Sequence, residues 1–285
     1  MAKTGQIRET SKFVKYLAIV AKYLVMAGAI FITCFPILWV ILSSFKTNQQ
    51  IFSGQFWPTE FNLSGYKQAL DMTPIPKFFL NSLQIAVVAM VCGVMLISMA
   101  SYIFARVKFR GSGFLYGLLM TAMVLPATAM IQPIYMQINR LGLLDTKAAL
   151  MIVYSCTGLA MTLMIMRSFF AGVPRDLEES AAVDGAGFMR TYLQIILPVA
   201  KPGIATCMVL RFLENWNEFN YALILTTSTN VRTLPLSLSY FVSTFSFNYT
   251  AMFAAITIAA VPSLVVFAIF NEQVVSSMTV GSVKG

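Results

Sequence analysis

Six long apolar runs dominate the chain, and shorter polar segments separate them. Each run is long enough for a membrane-spanning helix, which needs about 20 predominantly apolar residues. The predicted spans are residues 23–45, 79–105, 114–136, 148–170, 203–226 and 251–270. This pattern predicts an all-α membrane protein, a bundle of six transmembrane helices that forms a single domain over residues 1–285.

The polar segments predict how such a bundle is oriented. Residues 1–22 form a basic, interfacial amino-terminal segment, and residues 171–200 and 227–250 form two loops between the later spans. With the amino terminus inside, the inner segments carry twelve of the 20 Lys and Arg residues and the outer loops carry six. Cytoplasmic segments retain positive charge. We therefore expect both termini and residues 171–200 in the cytoplasm, and residues 227–250 outside.

Composition supports the membrane assignment and argues against several kinds of chemistry. Hydrophobic residues make up 58% of the chain and charged residues 11%, whereas a soluble domain carries about a quarter charged residues. The chain has no histidine, and its four cysteines lie in four different apolar runs. We therefore expect no metal site, no disulfide framework and no histidine-based catalysis. The net charge is +9, but the Lys and Arg residues form no basic cluster interleaved with aromatic residues. This argues against a nucleic-acid partner.

The most informative polar segment covers residues 174–198, PRDLEESAAVDGAGFMRTYLQIILP. Asp176 can cap a helix, and Glu179 stands three residues on, at the spacing of a capping box. Gly185 can adopt the left-handed conformation that ends a helix. A second helical run from residue 188 to 197 would stop at Pro198. The segment is thus predicted to fold as helix, tight turn and helix. From its physics alone it is either an ordinary interfacial loop or a specific contact element.

The fifth predicted span carries a second polar group of residues. On a continuous helix, the following four would share one face, where Arg211 can pair with Glu214 or Asn215: Arg211, Glu214, Asn215 and Glu218. Trp216 and Asn220 would share a second face. Charges near the middle of a membrane must face protein or water. Three interpretations stay open: a polar wall for a hydroxyl-rich solute, a buried ion pair, and a proton relay through Glu214 and Glu218.

Several motifs together resemble one family. Glu179-Ser180-Ala181 is followed by Gly185 and then by Ile195-Ile196-Leu197-Pro198, with Ser180 standing where alanine is usual. Further matching stretches are residues 81–83, 101–106, 125–126, 141–144, 167–187 and 216–219, and the terminal Gly-Ser-Val-Lys-Gly. Over residues 20–285 the chain resembles the inner-membrane permeases of binding-protein-dependent ABC importers, and among these the maltose-type branch that takes up carbohydrates.

The resemblance implies a subunit of an ATP-driven importer in a bacterial-type inner membrane. Its expected partners are a second homologous permease in a heterodimer, two ATPase subunits that hold ATP and Mg, and an extracytoplasmic solute-binding protein. Residues 171–200 would be a cytoplasmic coupling loop, with its coupling helix between the fourth and fifth transmembrane helices. The expected ATPase-docking positions are Glu179, Ser180, Ala181, Asp184 and Gly185. The expected substrate-path positions are Asn215, Trp216, Asn217, Glu218 and Asn220.

Other classes of function make different predictions. The chain has no GxxxxGK[ST] loop, so ATP hydrolysis would belong to a separate chain, and we expect neither catalysis nor a cofactor here. The alternative is a stand-alone, proton-coupled secondary carrier that uses Glu214 and Glu218. A membrane-embedded enzyme and a purely structural subunit are two further possibilities.

Overall fold

The computed structural model describes the backbone of residues 3–241 and 248–280, with side chains from residue 14 to 241 and from 248 to 272. Within these ranges every regular element is helical and no strand occurs. The elements are α1 (Lys3–Ser43), α2 (Asn48–Phe52), α3 (Ser64–Met72), α4 (Ile75–Arg106), α5 (Ser112–Thr121), α6 (Ala127–Arg140), α7 (Lys147–Cys156), α8 (Leu159–Gly172), α9 (Asp176–Val183), α10 (Phe188–Thr191), a π-helical turn (Tyr192–Ile196), α11 (Leu197–Val199), α12 (Lys201–Trp216), α13 (Asn220–Leu225), α14 (Leu234–Ser237), a 3-10 turn (Leu238–Phe241) and α15 (Tyr249–Val280). The all-α prediction is confirmed for this part of the chain.

Three helical stretches are long and apolar enough to cross a membrane: Val14–Ser43, Ile75–Arg106 and Tyr249–Glu272. Two bent pairs pass the same test when each pair counts as one span. These are α7 with α8, bent by 49°, and Phe188–Val199 with α12, bent by 78°. By length and composition, the described residues therefore hold between three and five candidate spans. The predicted number of six stays a prediction.

Three of the predicted spans are interrupted helices. The third divides between α5 and α6, because Pro126 stands at the amino-terminal cap of α6 and a proline disfavours helical geometry in the residue before it. The fourth breaks at Gly158, which has a φ of +67°. The fifth ends as a regular helix at Trp216 and resumes as α13. The first span, in contrast, belongs to a helix that already begins at Lys3.

The described residues of Met1–Ala69 and Thr244–Thr257 form one compact unit, and those of Leu70–Ser243 and Ile258–Gly285 form a second. In the first unit, the Lys46 side chain is fully buried. Its ammonium group donates a 2.6 Å hydrogen bond to the Gln55 carbonyl oxygen and lies 4.2 Å from the centre of the Trp39 ring. Burial lowers the pKa of Lys46. These contacts hold the loop after α1 against the end of that helix.

The core of the second unit is built around α4, which packs against α7, α8 and α12. One apolar cluster joins α4 to α8 and to the π-helical turn, through residues such as Leu163, Phe170 and Tyr192. The other joins α4 to α7 and α13, through residues such as Ile85, Leu150 and Leu225. Because α4 contributes to both clusters, it is the common support of the elements that carry the candidate sites.

Close approach between α4 and α7 depends on Gly93. A Cβ atom added to Gly93 would lie 2.9 Å from the Ser155 carbonyl oxygen. Gly113 and Gly117 have the GxxxG spacing that is typical of close helix packing. An added Cβ would nevertheless meet nothing within 4 Å at either position in the described chain. Within the described chain, the glycine that allows two helices to pack closely is therefore Gly93, and not Gly113 or Gly117.

We predict that Gly93→Ala destabilises the protein by about 1–3 kcal/mol, because the α4 and α7 backbones must move apart. Gly117→Ala is the matched control, and it should be neutral or stabilising by up to about 1 kcal/mol, because alanine favours a helix. Thermal unfolding in detergent measures both effects, followed by the reaction of the buried Cys207 thiol with a fluorogenic reagent after the exposed Cys34, Cys92 and Cys156 are replaced by serine. Equal melting temperatures for the two variants would contradict the packing role.

Candidate functional site

The polar segment after α8 folds as two helices joined by a turn at Gly185. Gly185 has a φ of +75°, which glycine adopts without a steric penalty. Its N–H donates to the Ala182 carbonyl oxygen, and the Ala186 N–H donates to the Ala181 carbonyl oxygen, at 3.1 and 2.9 Å. These two hydrogen bonds are those of a Schellman motif. The predicted helix end at Gly185 is confirmed.

The start of α9 differs from the prediction. Arg175 occupies the capping position in a helical conformation, and α9 has no side-chain cap. Asp176 is therefore the first helical residue, and the predicted capping box with Glu179 was wrong. The acidic residues Asp176, Glu178 and Glu179 do lie in the first turn, where their charge complements the partial positive charge of the helix start.

The predicted stop at Pro198 was also wrong. The helix that starts at Phe188 continues through the π-helical turn Tyr192–Ile196 and includes Pro198 in α11. The Leu197 N–H reaches back to the Tyr192 carbonyl oxygen, which is the wider π-type spacing. The π turn accounts for the continuation, because it shifts the hydrogen-bond register just before a residue that lacks an N–H group.

Glu178 fastens this segment to the end of α4. Its carboxylate accepts a 3.0 Å hydrogen bond from the Tyr102 hydroxyl and lies 3.2 Å from Nε of Arg106. The Arg106 guanidinium also donates to the Val173 carbonyl oxygen, and the Tyr192 hydroxyl lies 2.7 Å from the Ser98 hydroxyl. Sequence reasoning missed the anchoring role of Glu178. The available signal was that Tyr102 and Arg106 both lie in a motif at the end of a span.

The exposed part of the segment combines acidic and apolar side chains. Of the predicted docking residues, Glu179, Ser180, Asp184 and Gly185 are exposed, whereas Ala181 is buried at 3% exposure. Four large apolar side chains of α9 and α10 are also exposed, and we call them the elbow surface: Leu177, Val183, Phe188 and Met189. Val183 is 87% exposed. Sequence reasoning did not single out this apolar set, because it concentrated on the acidic and small residues.

A second feature is a cavity of about 760 Å³ at the three helix interruptions. Its wall includes Ala122 and Leu125 from the α5–α6 break, Cys156 to Leu159 from the α7–α8 break, and Asn217 to Phe219 from the α12–α13 break. Irregular backbone inside a membrane protein is tolerated where it lines a cavity or is buried in protein. The cavity therefore explains why three breaks occur together.

Arg211 stabilises one of these breaks. Its side chain is 1% exposed, and it forms a 2.7 Å ion pair with Glu214. Its other terminal nitrogen donates to the Tyr154 carbonyl oxygen and lies 3.5 Å from Oδ1 of Asn215. The Tyr154 carbonyl belongs to the last turn of α7, where a cation is favourable. The predicted pairing of Arg211 with Glu214 and Asn215 is confirmed.

Glu218 stabilises another break by capping α13. Its carboxylate accepts hydrogen bonds from the N–H groups of Tyr221 and Ala222, at 2.8 and 3.1 Å, and from the Tyr154 hydroxyl, at 2.6 Å. The two N–H groups belong to the first turn of α13, which lacks partners within the helix. Glu218 thus ties α13 to α7 and acts first as a structural residue.

The structure divides the five predicted substrate-path residues. Asn215, Asn217, Glu218 and Asn220 belong to the cavity wall, whereas Trp216 does not. Trp216 is 1% exposed, and its indole N–H donates to the Ala259 carbonyl oxygen. The prediction that Glu218 shares a helix face with Arg211, and Asn220 with Trp216, was wrong, because α12 ends at Trp216.

The start of the predicted external loop is held by Asp145. One carboxylate oxygen accepts hydrogen bonds from the N–H groups of Thr227 and Ser228, at 2.8 and 2.9 Å. The hydrogen bond from the Ser228 N–H is the main reason that the pKa of Asp145 is lowered. Partial burial of the carboxylate opposes this shift, and the hydrogen bond from Thr227 adds to it. Residues 242–247 of this loop, and the terminal Gly-Ser-Val-Lys-Gly, lie outside the described residues.

Comparison with known sequences gives the family. The pattern described as "binding-protein-dependent transport system inner membrane component" matches residues 93–280, which is more than half of the chain. The chain belongs to this family of permeases. The match includes the polar segment around Gly185 and every residue of the cavity wall.

Individual relatives agree with the family assignment. The permease is 33% identical over 252 residues to the diacetylchitobiose uptake system permease protein NgcG of Streptomyces coelicolor, covering 87% of this chain and 83% of the relative. It is 32% identical over 254 residues to a second such protein of that organism, DasC, covering 88% and 92%. It also matches a chain in the crystal structure of a bacterial ABC transporter involved in the import of the acidic polysaccharide alginate. That match has a TM-score of 0.79 and 21% identity and covers 90% and 96% of the two chains, so it supports the fold.

The wall at Gly158 leads to a stability prediction for the permease. A Cβ atom at Gly158 would overlap the Arg211 guanidinium and the Glu214 carboxylate, whereas one at Gly142, with nearly the same φ of +66°, would meet nothing within 4 Å. Gly142→Ala should cost about 1–2 kcal/mol through backbone strain alone. Gly158→Ala should cost more, because it also displaces the ion pair that binds the end of α7. The difference in thermal unfolding midpoint between the two variants measures this effect, and no difference would contradict it.

Proposed function

We propose that this permease is the transmembrane subunit of an ATP-driven importer and forms half of the path for a sugar or oligosaccharide. An extracytoplasmic binding protein would deliver the solute, which fits the description of the family as part of a binding-protein-dependent transport system. The carbohydrate assignment is supported by relatives that are named as diacetylchitobiose uptake permeases. ATP and Mg would be bound by two ATPase subunits, and this chain would perform no catalysis.

The observation that carries the proposal is the connection between the polar segment and the cavity. The helix before the segment, α8, has 14 residues and starts at the α7–α8 break in the cavity wall. The helix after it, α12, has 16 residues and ends at the α12–α13 break in the same wall. At 1.5 Å per residue, the two helices are about 21 and 24 Å long. A displacement of the segment would therefore reach both sides of the cavity through rigid elements.

The elbow surface supports the assignment of this segment as the ATPase contact. Exposed Val183 and Phe188 side chains suit burial in a cleft of another protein, and Glu179 and Asp184 are available for polar contacts at its edge. Glu178 would transmit force, since its contacts to Tyr102 and Arg106 join the segment to α4. In this proposal Ala181 supports α9 from inside the chain, and Gly185 provides the turn between the helices.

The remaining expectations form part of the same proposal. The permease would be one domain over residues 1–285, with six transmembrane helices, a coupling helix between the fourth and fifth, and cytoplasmic termini in a bacterial-type inner membrane. It would pair with a second homologous permease. The apolar window of α1 supports this pairing, because none of its residues is buried in the described chain, which leaves the helix to lipid or to another subunit.

The contacts of the two glutamates disfavour the proton-coupled carrier. Glu214 is held in an ion pair with Arg211, and Glu218 is committed to three hydrogen bonds that fix its carboxylate at the start of α13. Reconstituting this chain alone in vesicles with a pH gradient tests this alternative. We expect no sugar uptake without the ATPase subunits, and uptake driven by the pH gradient would overturn the importer proposal.

We predict that Val183→Glu weakens the binding of the ATPase subunits about 30-fold or more, because it places an unpaired charge in a desolvated contact, at a cost of about 2 kcal/mol. Co-purification of the ATPase subunits and ATP-driven uptake in vesicles measure the loss. Leu141→Glu is the control, since Leu141 is 65% exposed at the end of α6, away from the elbow surface. Full ATPase retention by Val183→Glu would contradict the assignment of this surface.

A further inference from the structure

The charges in the cavity wall have a single sign. The only charged residues in the wall are Glu214 and Glu218; neither Lys nor Arg is among the residues that line it, all of which the structure describes. The chain also has no histidine that could supply a positive charge. The side of the path that this chain provides therefore offers no cationic group to a solute.

Arg211, the cation that pairs with the wall residue Glu214, is buried and is not among the residues that line the cavity. Its side chain is 1% exposed, and its terminal nitrogens are engaged by Glu214, by the Tyr154 carbonyl oxygen and by Asn215. Glu214, on the other side of the ion pair, is 55% exposed and belongs to the wall. The pair thus presents its negative end to the cavity and keeps its positive end inside the protein.

Glu218 adds a second negative charge to the wall. Its three hydrogen-bond donors are two backbone N–H groups and the neutral Tyr154 hydroxyl, and it forms no ion pair within the described residues. Hydrogen bonds from neutral donors hold the carboxylate in place without cancelling its charge. The other polar groups of the wall include the exposed amides of Asn217 and Asn220, which can donate to and accept from hydroxyl groups.

From this arrangement we propose that the cavity selects against anionic solutes, and that the cargo of this permease is an uncharged saccharide. The inference rests on the proposed function, in that the cavity must lie on the route of the solute. A carboxylate or sulfate group in the cavity would lose water and gain repulsion, which is stronger there than in bulk water. Uncharged hydroxyls can hydrogen-bond to the amides of the wall and donate to its carboxylates, and they meet no charge repulsion. The acidic polysaccharide alginate, imported by the transporter of similar fold, belongs to the class that this wall disfavours.

A native thiol allows the charge of the wall to be measured directly. Cys156 is exposed and belongs to the cavity wall. In the assembled importer, Cys34, Cys92 and Cys207 are replaced by serine or alanine in this chain, and accessible cysteines of the other subunits are replaced likewise. Cys156 is then treated with methanethiosulfonates that carry a trimethylammonium group, a sulfonate group or only a methyl group. The Cys156 thiolate attacks the sulfenyl sulfur, a disulfide forms, and methanesulfinate leaves.

The measured quantity is the ratio of the rates for the cationic and the anionic reagent, divided by the same ratio for a small thiol in water. This normalisation removes the intrinsic reactivity of the reagents and of the thiol. We expect a preference for the cationic reagent of about tenfold or more. Glu218→Gln should reduce this preference severalfold. Glu214→Gln should also reduce it, because the charge of Arg211 is then uncompensated.

Glu272→Gln is the matched control, an exposed glutamate of α15 outside the cavity wall, and it should leave the preference unchanged. If Glu218→Gln does not assemble, Glu214→Gln carries the test. A preference for the anionic reagent, equal rates, or a preference unaffected by both wall variants would overturn the inference. Failure of the neutral methyl reagent to modify Cys156 would overturn it as well, since the cavity would then be closed to water. Labelling of Cys156 needs no ATP, so it tests the charge of the cavity independently of transport. If the assembled importer shows the predicted labelling ratios but no ATP-driven sugar uptake, the result counts against the proposed function alone.

Discussion

The need to satisfy backbone groups at interrupted helices governs the second compact unit of this protein. Where the end of a helix is buried, its terminal N–H and C=O groups have no water to bind, and each unpaired group is costly. Here Arg211 binds the Tyr154 carbonyl in the last turn of α7, and Glu218 binds the first N–H groups of α13. Two charged side chains thus replace the hydrogen bonds that continuous helices would have made.

Arg211 and Glu218 also account for the residue types at Gly158 and Tyr154, which both contact this network. Gly158 leaves the volume that the Arg211–Glu214 pair occupies, and its positive φ produces the turn between α7 and α8. Tyr154 serves both charged residues at once, its carbonyl accepting from Arg211 and its hydroxyl donating to Glu218. Removing one member would leave a buried partner unpaired, which generally costs more than the pair contributes. The cavity wall is therefore a cooperative unit and not a set of independent polar residues.

The breaks and the polar segment together give the second unit a mechanical layout. The rigid helices α8 and α12 lie on either side of the segment in sequence, and each reaches a break in the cavity wall at its far end. Irregular backbone at those breaks has fewer hydrogen bonds to lose when it changes conformation than the interior of a helix has. Motion is therefore expected to concentrate at the breaks while α8 and α12 move as rigid bodies. Glu178 contacts Tyr102 and Arg106 at the end of α4. A movement of the polar segment would therefore also be passed to α4.

Periodicity and composition were sufficient for the class of the protein, the helical turn at Gly185 and the pairing of Arg211 with Glu214, because each depends on residues close in sequence. They were insufficient for the third, fourth and fifth spans, which look continuous since hydropathy does not distinguish a straight helix from a broken one. They also did not predict the contact of Trp216, whose indole N–H donates to the Ala259 carbonyl of a distant helix, and they assigned Glu218 to the wrong helix face. The anchor at Glu178 and the net charge of the cavity wall were decided only by tertiary structure, because each results from groups that the chain brings together across tens of residues.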